Sequence, residues 1–381
     1  MSSFDRHPST VADFDDARRR DRLRETRPGH AWVRWRHTRL VGLRVAGVLL
    51  VAMMVFGQYW VHDVEPQRER LAQTTPELLP VHLPADSRDW DTAVVDMVGL
   101  GGVNAAPTAE ALPALSRLGV VWAVRYDNAG IDTKVIAEMI VRAARYGNVR
   151  NIVLVGHSMG GIIALEVARH IHLGSDRRLV AVVLDCTPMD LDAVRPESRS
   201  RGAELVRWVG WLPGARESRL LRFAVEMSVR RERFVRRDGL LFDIDFSAMG
   251  AASSEVLRDK IFSRDAASNG LIESQFLAIV AGGGVADLRA LGRPNPDKRN
   301  PAIVFIRPRD ASRDGVVDVE YSHRVLIEHA GGVDGTLSVV RPTRTEHANP
   351  IQRPGEYNEV IDAQVLPFVR RFQEANRNDP P

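Results

Sequence analysis

A serine flanked by glycines is the residue of this sequence best placed for covalent chemistry. Residues 156–160 are Gly-His-Ser-Met-Gly, and Ser158 stands at the centre of this G-x-S-x-G pattern. A serine hydroxyl becomes a nucleophile when a histidine removes its proton and a carboxylate orients that histidine. Since the pattern also occurs by chance in glycine-rich turns, its meaning depends on the elements around it.

The elements on either side of Ser158 fit a nucleophile elbow, which is a sharp turn between a strand and a helix. A β-branched run over residues 152–155 predicts a buried strand, and residues 162–169 predict a helix. In such a turn the serine hydroxyl stands above the sheet. The backbone amide of Met159, at the start of the helix, would point at a developing oxyanion. The sequence therefore predicts Ser158 as the nucleophile and Met159 as an oxyanion-hole donor.

The segment Gly-His-Ser-Met-Gly-Gly at residues 156–161 resembles the elbow of the α/β-hydrolase family, in its lipase, esterase and acyltransferase branches. The resemblance covers about residues 90–375. Strand and helix patterns alternate through the first half of this region, with residues 107–118 predicted as one of the helices. Such alternation requires parallel strands with right-handed crossovers. We expect a three-layer α/β-hydrolase domain with a mostly parallel sheet over residues 91–375.

The resemblance also implies positions for a second oxyanion donor and a general base. The family's loop after the first buried strand usually begins with His-Gly and supplies a backbone amide. Here Val98 replaces that histidine, but Leu100 is still expected to supply the amide, because a backbone donor does not depend on a side chain. His347 lies in a loop that resembles the family's histidine loop. The order serine, acid, histidine is the order that this fold imposes.

Two aspartates after the predicted strand at residues 302–306 are candidates for the acid. Asp310 lies at the usual distance from the strand end, whereas Asp314 opens a stretch that resembles the acid-bearing stretch of bacterial lipases and esterases of this fold. The acid must hold the histidine tautomer and stabilise its cation. We favour Asp314, which requires a four-residue loop extension, and keep Asp310 and then Asp185 as alternatives.

Residues 187–301 interrupt the alternation with a helical, arginine-rich stretch. The family places its helical lid at this point of the chain, so we expect a lid over the site. Its tryptophans and basic residues suit either an apolar ligand or membrane surface, or an ordinary amphipathic cap packed on the core.

An apolar stretch near the N-terminus predicts a membrane anchor. Residues 40–61 contain Arg44 as their one charged side chain, and about 22 residues suffice to cross a bilayer of roughly 30 Å. Nine arginines lie between residues 18 and 39, so the positive-inside rule predicts a cytoplasmic tail over residues 1–39 and a catalytic domain outside, in the cell envelope. A cleaved signal peptide and a buried helix of the domain are the alternatives. Residues 62–90, which hold four prolines, predict an extended tether.

Composition reduces the number of partners and cofactors that the sequence allows us to expect. The 381 residues carry a net charge of +3 without an aromatic-interleaved basic motif, so no nucleic-acid partner is expected. Cys186 is the one cysteine, which excludes an intrachain disulfide, and it is expected to be buried. No metal-ligand spacing and no phosphate-binding glycine pattern is visible, so neither a metal nor a cofactor is expected.

These observations predict a membrane-anchored serine hydrolase without a cofactor. It would cleave a carboxylic ester or thioester with a lipid-like or small apolar acyl group, through an acyl-enzyme. An acyltransferase with the same triad is one alternative, because a dry lid could favour an alcohol over water. A catalytically silent hydrolase-fold protein that binds a lipid or a partner is the other.

Overall fold

The computed structural model describes residues 36–238, 241–281, 283–330 and 335–378. It forms two compact units, one ending at His62 and one beginning at Asp63. Most of the predicted cytoplasmic tail, residues 1–35, lies outside the described residues.

The first unit contains helix α1, Arg36–Tyr59, which is followed by a π-helical turn at Trp60–Val64. Its large apolar side chains from Leu40 to Phe56 are exposed, from 42% at Leu40 to 72% at Met53. An 18-residue window within the helical stretch Thr38–Leu71 has a mean hydropathy of 2.3, which is apolar enough to cross a membrane. By length and composition, this helix is a candidate span.

The second unit contains the strands and the remaining helices. The strands are β1 Glu77–His82, β2 Thr92–Met97, β3 Val120–Arg125, β4 Asn151–His157, β5 Arg178–Asp185, β6 Val235–Asp238, β7 Leu241–Ile244, β8 Ala302–Ile306 and β9 Leu337–Val340. The helices are α2 Glu65–Leu71, α3 Ala106–Glu110, α4 Thr133–Tyr146, α5 Met159–Gly174, α6 Pro196–Trp211, α7 Arg219–Val229, α8 Phe246–Val256, α9 Asn269–Val280, α10 Gly283–Leu291, α11 Val319–His329, α12 Pro354–Val360 and α13 Leu366–Asn378.

Seven strands form one sheet in the order β1-β3-β2-β4-β5-β8-β9. Strand β1 is antiparallel to β3, and all other neighbours in this sheet are parallel. Every residue of β2 and β4 is buried, as expected when helices cover both faces of a parallel sheet. The predicted three-layer fold with a mostly parallel sheet is confirmed.

Side chains alternate between the two faces of the sheet and build two cores. Ile152 and Leu154 of β4 belong to the core covered by α4, α5, α9, α10 and α11. Val153 and Val155 belong to the core covered by α3, α12 and α13. Each such fully buried side chain stabilises the fold by about 1.5–3 kcal/mol. The sheet is therefore a rigid platform, and the site residues follow the carboxyl ends of its strands.

Two predicted segments differ from the structure. Residues 62–90 are not an extended tether, because they contain α2 and β1, and from Asp63 onward they belong to the second unit. Pro80 is tolerated in β1 because this strand lies at the edge of the sheet. The single helix predicted over residues 107–118 is instead α3 followed by a 3₁₀ turn at Pro113–Arg117, because a proline inside a helix breaks its hydrogen bonding.

The insertion at residues 187–301 is helical as predicted, but it has two parts. Helices α9 and α10 bury Leu271 and Leu288 in the core beside α5. Helices α6, α7 and α8 lie between β5 and α9 in the chain, together with an antiparallel hairpin of β6 and β7 that the sequence did not predict. We call residues 196–261 the lid.

Candidate active site

Ser158 occupies a sharp turn between the end of β4 and the start of α5. Its backbone has φ +53° and ψ −125°, a left-handed conformation that is strained for a residue with a side chain. A Cβ atom on Gly160 would lie only 2.5 Å from the carbonyl oxygen of Met97, so a glycine is needed there. The local geometry is that of a nucleophile elbow, with Met159 at the N-terminus of α5.

The structure brings Ser158 and His347 together although 189 residues separate them in the chain. The His347 Nε2 atom lies 2.8 Å from the Ser158 hydroxyl, and its Nδ1 atom lies 2.9 Å from the Asp314 carboxylate. Both distances are those of hydrogen bonds. With the proton on Nδ1, His347 donates to Asp314 and accepts the Ser158 hydroxyl proton. We call this arrangement the Ser158–His347–Asp314 chain.

The surroundings of Asp314 keep its carboxylate ionised and fixed. One oxygen accepts hydrogen bonds from the amides of Val316 and Val317, at 2.9 and 2.8 Å. Burial alone would raise the pKa of Asp314, but the hydrogen bonds from His347 and these amides outweigh it and lower the pKa below its ordinary value. Arg195 donates to the Asp314 carbonyl at 2.7 Å and holds the loop.

The two other candidate acids have different partners. Asp310 is exposed, and its carboxylate accepts hydrogen bonds from the amide and hydroxyl of Ser312. Asp185 is fully buried and contacts His157 at 2.8 Å and Tyr357 at 3.1 Å. Of the three aspartates, the structure places Asp314 against His347.

The loop after β2 lies directly on the elbow. A Cβ atom on Gly99 would be 2.9 Å from the carbonyl oxygen of His157 and 3.1 Å from the Cβ atom of Ser158. Leu100 follows Gly99, so its amide belongs to the loop that contacts the elbow. Gln275 of α9 holds this loop, because its side chain accepts from the Gly101 amide at 2.8 Å and donates to the Gly102 carbonyl at 2.9 Å.

Gln275 was missed by the sequence reasoning. Its side chain is completely buried, and it reaches the loop across 174 residues of chain. A local sequence pattern carries no signal for such a contact. Helix α9 also contains Asn269, Glu273 and Ser274, so its sequence does not single out Gln275.

A cavity of about 1020 Å³ lies between the loop after β2 and the lid. Leu100 and Gly101 form its wall on the loop side. Apolar side chains from the lid, α9 and the Asp314 loop form much of the rest, namely Leu221, Val225, Ile272, Phe276 and Val316. Arg222 and Glu226 of α7 form an ion pair at 2.5 Å in its lining. The lid side of the cavity is charged, because further lining residues are Glu204, Arg230, Glu232, Arg233 and Lys260.

Cys186, Asp314 and His347 bring three potential metal-binding atoms within 4.8 Å of one another. Burial raises the pKa of the Cys186 thiol, so this side chain stays protonated and is a poor ligand. Both ring nitrogens of His347 are engaged by Ser158 and Asp314. The chemistry of these donors favours the hydrogen-bonded chain over a metal site.

Comparison with known proteins identifies a family. A model of the alpha/beta hydrolase family matches residues 129–360, which is more than half of the chain. No curated protein matches the sequence at a significant level.

Solved structures with a similar fold cover most of the chain at low sequence identity. One is from work on carboxylesterases of Nitrososphaera gargenis, with 16% identity, TM-score 0.47, and coverage of 78% of this chain and 95% of that chain. An esterase from Exiguobacterium antarcticum has 13% identity, TM-score 0.45, and coverage of 77% and 94%. A lipase-esterase related protein from Clostridium acetobutylicum has 14% identity, TM-score 0.47, and coverage of 76% and 98%.

Proposed function

Since the chain belongs to the alpha/beta hydrolase family, we propose that it hydrolyses carboxylic esters or thioesters with Ser158 as the nucleophile. The observation that carries this proposal is the Ser158–His347–Asp314 chain, with its two hydrogen bonds of 2.8 and 2.9 Å. A serine, a histidine and a buried carboxylate in this order of contact are the groups that acyl transfer to serine requires.

In the first half of the reaction, the Ser158 hydroxyl oxygen attacks the carbonyl carbon of the ester. His347 takes the hydroxyl proton at Nε2, and Asp314 stabilises the imidazolium that forms. The amides of Met159 and Leu100 donate to the oxyanion of the tetrahedral intermediate. His347 then gives its proton to the leaving alcohol or thiol, and the acyl group remains on Ser158.

In the second half, water replaces the alcohol. His347 takes a proton from a water molecule, whose oxygen attacks the acyl carbon of the acyl-enzyme. The tetrahedral intermediate again places its oxyanion against Met159 and Leu100. When it collapses, the bond to Ser158 breaks, His347 returns the proton to the serine oxygen, and the carboxylic acid leaves.

The cavity supports a lipid-like or small apolar acyl group as substrate. Its volume of about 1020 Å³ lies at the upper end of the range of about 300–1000 Å³ that is usual for small-molecule sites. Leu221, Val225 and Phe276 offer apolar surface next to the oxyanion loop. The charged pair of Arg222 and Glu226 would contact a polar part of the substrate or solvent.

Helix α1, as a membrane anchor, would place the catalytic unit near substrates that are located in a membrane. We infer that α1 is a single span, that the arginine-rich tail stays in the cytoplasm, and that the catalytic unit lies outside in the cell envelope. The apolar composition of α1 supports the span, and the nine arginines between residues 18 and 39 support this orientation. The proposed partners are an ester substrate and the bilayer, without a nucleic acid.

Ester turnover by the full-length protein in detergent tests the mechanism. We expect hydrolysis of p-nitrophenyl butyrate, and we expect Ser158→Ala to lower kcat on the order of 10³-fold or more. Ser254→Ala is the matched control, because this serine is exposed on α8 and should leave kcat unchanged. Undiminished turnover by Ser158→Ala would overturn the proposal.

A further inference from the structure

A buried polar cluster lies beneath the elbow and takes no part in the proposed reaction steps. Asp96, His157 and Asp185 stand at the carboxyl ends of β2, β4 and β5, which are adjacent in the sheet. Tyr357 reaches them from α12. The exposed fractions of the four residues are 0%, 4%, 0% and 1%. Because burying ionisable groups is costly unless they are paired, the contacts within this cluster require an explanation.

His157 lies between the two carboxylates. Its Nδ1 atom is 2.8 Å from Asp185, and its Nε2 atom is 3.0 Å from Asp96. Burial by itself would lower the pKa of His157, but the charge of Asp96 and the hydrogen bond with Asp185 raise it to about 10. The Nδ1 atom is hydrogen-bonded to Asp185, whereas the Nε2 atom is an ion-pair distance from Asp96 without the geometry of a hydrogen bond.

Asp185 uses its second carboxylate oxygen to hold Tyr357. The Tyr357 hydroxyl donates to Asp185 at 3.1 Å and accepts from the Asn349 amide at 3.2 Å. Burial and the charge of Asp185 raise the pKa of Tyr357, so the hydroxyl keeps its proton. Asn349 is two residues after His347, and its side chain accepts from the Glu346 amide at 3.1 Å. This contact closes the turn that carries His347.

A second link reaches the other side of His347. The Cys186 thiol, next to Asp185 in the chain, lies 3.6 Å from the carbonyl oxygen of Glu346 and donates to it. Ala348 has a φ of +37°, an unfavourable conformation for a residue with a side chain. A strained turn persists only where its surroundings hold it, and these two links hold this turn on both sides of His347.

The main chain of Asp185 also holds the nucleophile. Its carbonyl oxygen accepts a hydrogen bond of 2.7 Å from the Ser158 amide. Asp185 thus fixes Ser158 through its backbone and the His347 turn through its side chain and Tyr357. It is the common support of both ends of the 2.8 Å contact between Ser158 and His347.

We propose that Asp185 and Tyr357 are positioning residues that set the distance between Ser158 and His347, and that the hydrogen bond of 2.8 Å from His157 orients Asp185 for this task. This inference rests on the proposed function of the Ser158–His347–Asp314 chain. Distance matters here because misplacement of a catalytic group by 1 Å can cost about 10²-fold in rate. The Asp185 side chain, considered from the sequence as an alternative acid, acts instead through Tyr357.

Tyr357→Phe tests the proposal, because it removes the hydroxyl and keeps the ring. We expect kcat for p-nitrophenyl butyrate to fall about 10-fold while KM changes less than about 2-fold, since the hydroxyl orients the base and does not contact substrate. Tyr321→Phe is the matched control. Its hydroxyl also bonds a carboxylate, that of Asp190 at 2.8 Å, but it lies on α11 away from the His347 turn. The control should keep the wild-type kcat.

The same substitution in the His347→Ala variant distinguishes a positioning role from a general loss of structure. If Tyr357 acts through His347, adding Tyr357→Phe to His347→Ala should lower the residual rate less than about 2-fold, because the effects of coupled residues are not additive. An equal 10-fold loss in both backgrounds would overturn the proposal. So would an unchanged kcat in the single variant.

Nitrogen-15 NMR of the histidine rings gives a readout that does not depend on turnover. In Tyr357→Phe the ring signals of His347 should shift, and in Tyr321→Phe they should stay at the wild-type positions. If the wild-type protein does not hydrolyse the ester but the His347 signals shift, the proposed function fails and the positioning role stands. If turnover is present and the His347 signals stay fixed in Tyr357→Phe, the positioning role fails alone.

Discussion

At the scale of single residues, the choice between Asp314 and Asp310 is the sharpest point to test. Asp314 is buried and contacts His347, whereas Asp310 is exposed and caps a short 3₁₀ turn. We predict that Asp314→Asn lowers kcat on the order of 10³–10⁴-fold, because the amide favours the wrong imidazole tautomer. The measurement is ester turnover by both variants in the same detergent.

Asp310→Asn is the matched control for this prediction. This variant also replaces a carboxylate by an amide in the same loop. It should leave kcat within about 2-fold of wild type, because Asp310 lies at the surface. The reverse ranking of the two variants would show that Asp310, and not Asp314, orients His347 in solution.

Some residues of the candidate site could be predicted from the sequence and others could not. The difference depends on whether a residue belongs to a local sequence pattern or contacts a distant part of the chain. Ser158 and Met159 were predicted because a strand, a turn and a helix within about twenty residues define an elbow. Gln275 and Tyr357 were not predicted. Their partners lie 174 and 172 residues away in the chain, and one sequence gives no sign of which distant residues meet.

At the scale of elements, the segment after the candidate span is fixed to the lid. Asp63 is buried and sits at the N-terminus of α7, where it accepts from the Ser218 hydroxyl at 2.6 Å and from the Arg219 amide at 3.0 Å. Val64 is completely buried, and a Cβ atom on Gly214 would come within 2.6 Å of it. The four prolines that predicted a tether gave no indication of these contacts.

We predict that Asp63→Ala loosens the first turn of α7. Loss of a side-chain cap typically costs about 0.5–2 kcal/mol, and here a carboxylate also complements the helix dipole. Amide hydrogen exchange at residues 219–222 should become faster, while exchange in β4 should not change. Glu69→Ala, an exposed acid on α2, is the control and should leave both regions unchanged. Equal exchange rates at residues 219–222 in wild type and Asp63→Ala would show that this contact does not hold the lid.

The lid itself shows why some elements escape a sequence-based prediction. Its helices were predicted from composition, but the hairpin of β6 and β7 was not. Each of these strands has four residues, and their antiparallel pairing places Val235 opposite Ile244. A strand this short does not show the alternation on which a strand prediction depends. Strands β2, β4 and β5 were easier to predict because they have 6, 7 and 8 residues and are largely apolar and buried.

At the scale of the whole molecule, we predict a single-span protein with its catalytic unit outside the cytoplasm. Protease added to intact spheroplasts should digest the catalytic unit and spare an N-terminal tag, because the arginine-rich tail stays inside. A digested tag with a protected catalytic unit would mean the opposite orientation. Release of the full-length protein by a high-salt wash would show that α1 does not span the membrane.

Two N-terminal truncations test separately the role of α1 in membrane binding and the role of residues 63–74 in holding the lid. A chain that begins at His62 should be soluble and active on short esters, because it lacks α1 and keeps the Asp63 cap on α7. A chain that begins at Thr75 loses Asp63, Val64 and α2, and it should show faster exchange in the lid. Insolubility of the chain that begins at His62, at every tested salt concentration and pH, would indicate that α1 is part of the fold of the catalytic unit.

The central claim is that Ser158 is the nucleophile, and covalent labelling tests it most directly. Incubation of the full-length protein with a fluorophosphonate, followed by peptide mass spectrometry, should place one adduct on Ser158, because the reagent reacts with a serine that a histidine activates. Ser158→Ala should carry no adduct, and His347→Ala should react far more slowly. An unlabelled wild-type protein, or an adduct on another residue that persists in Ser158→Ala, would contradict the claim.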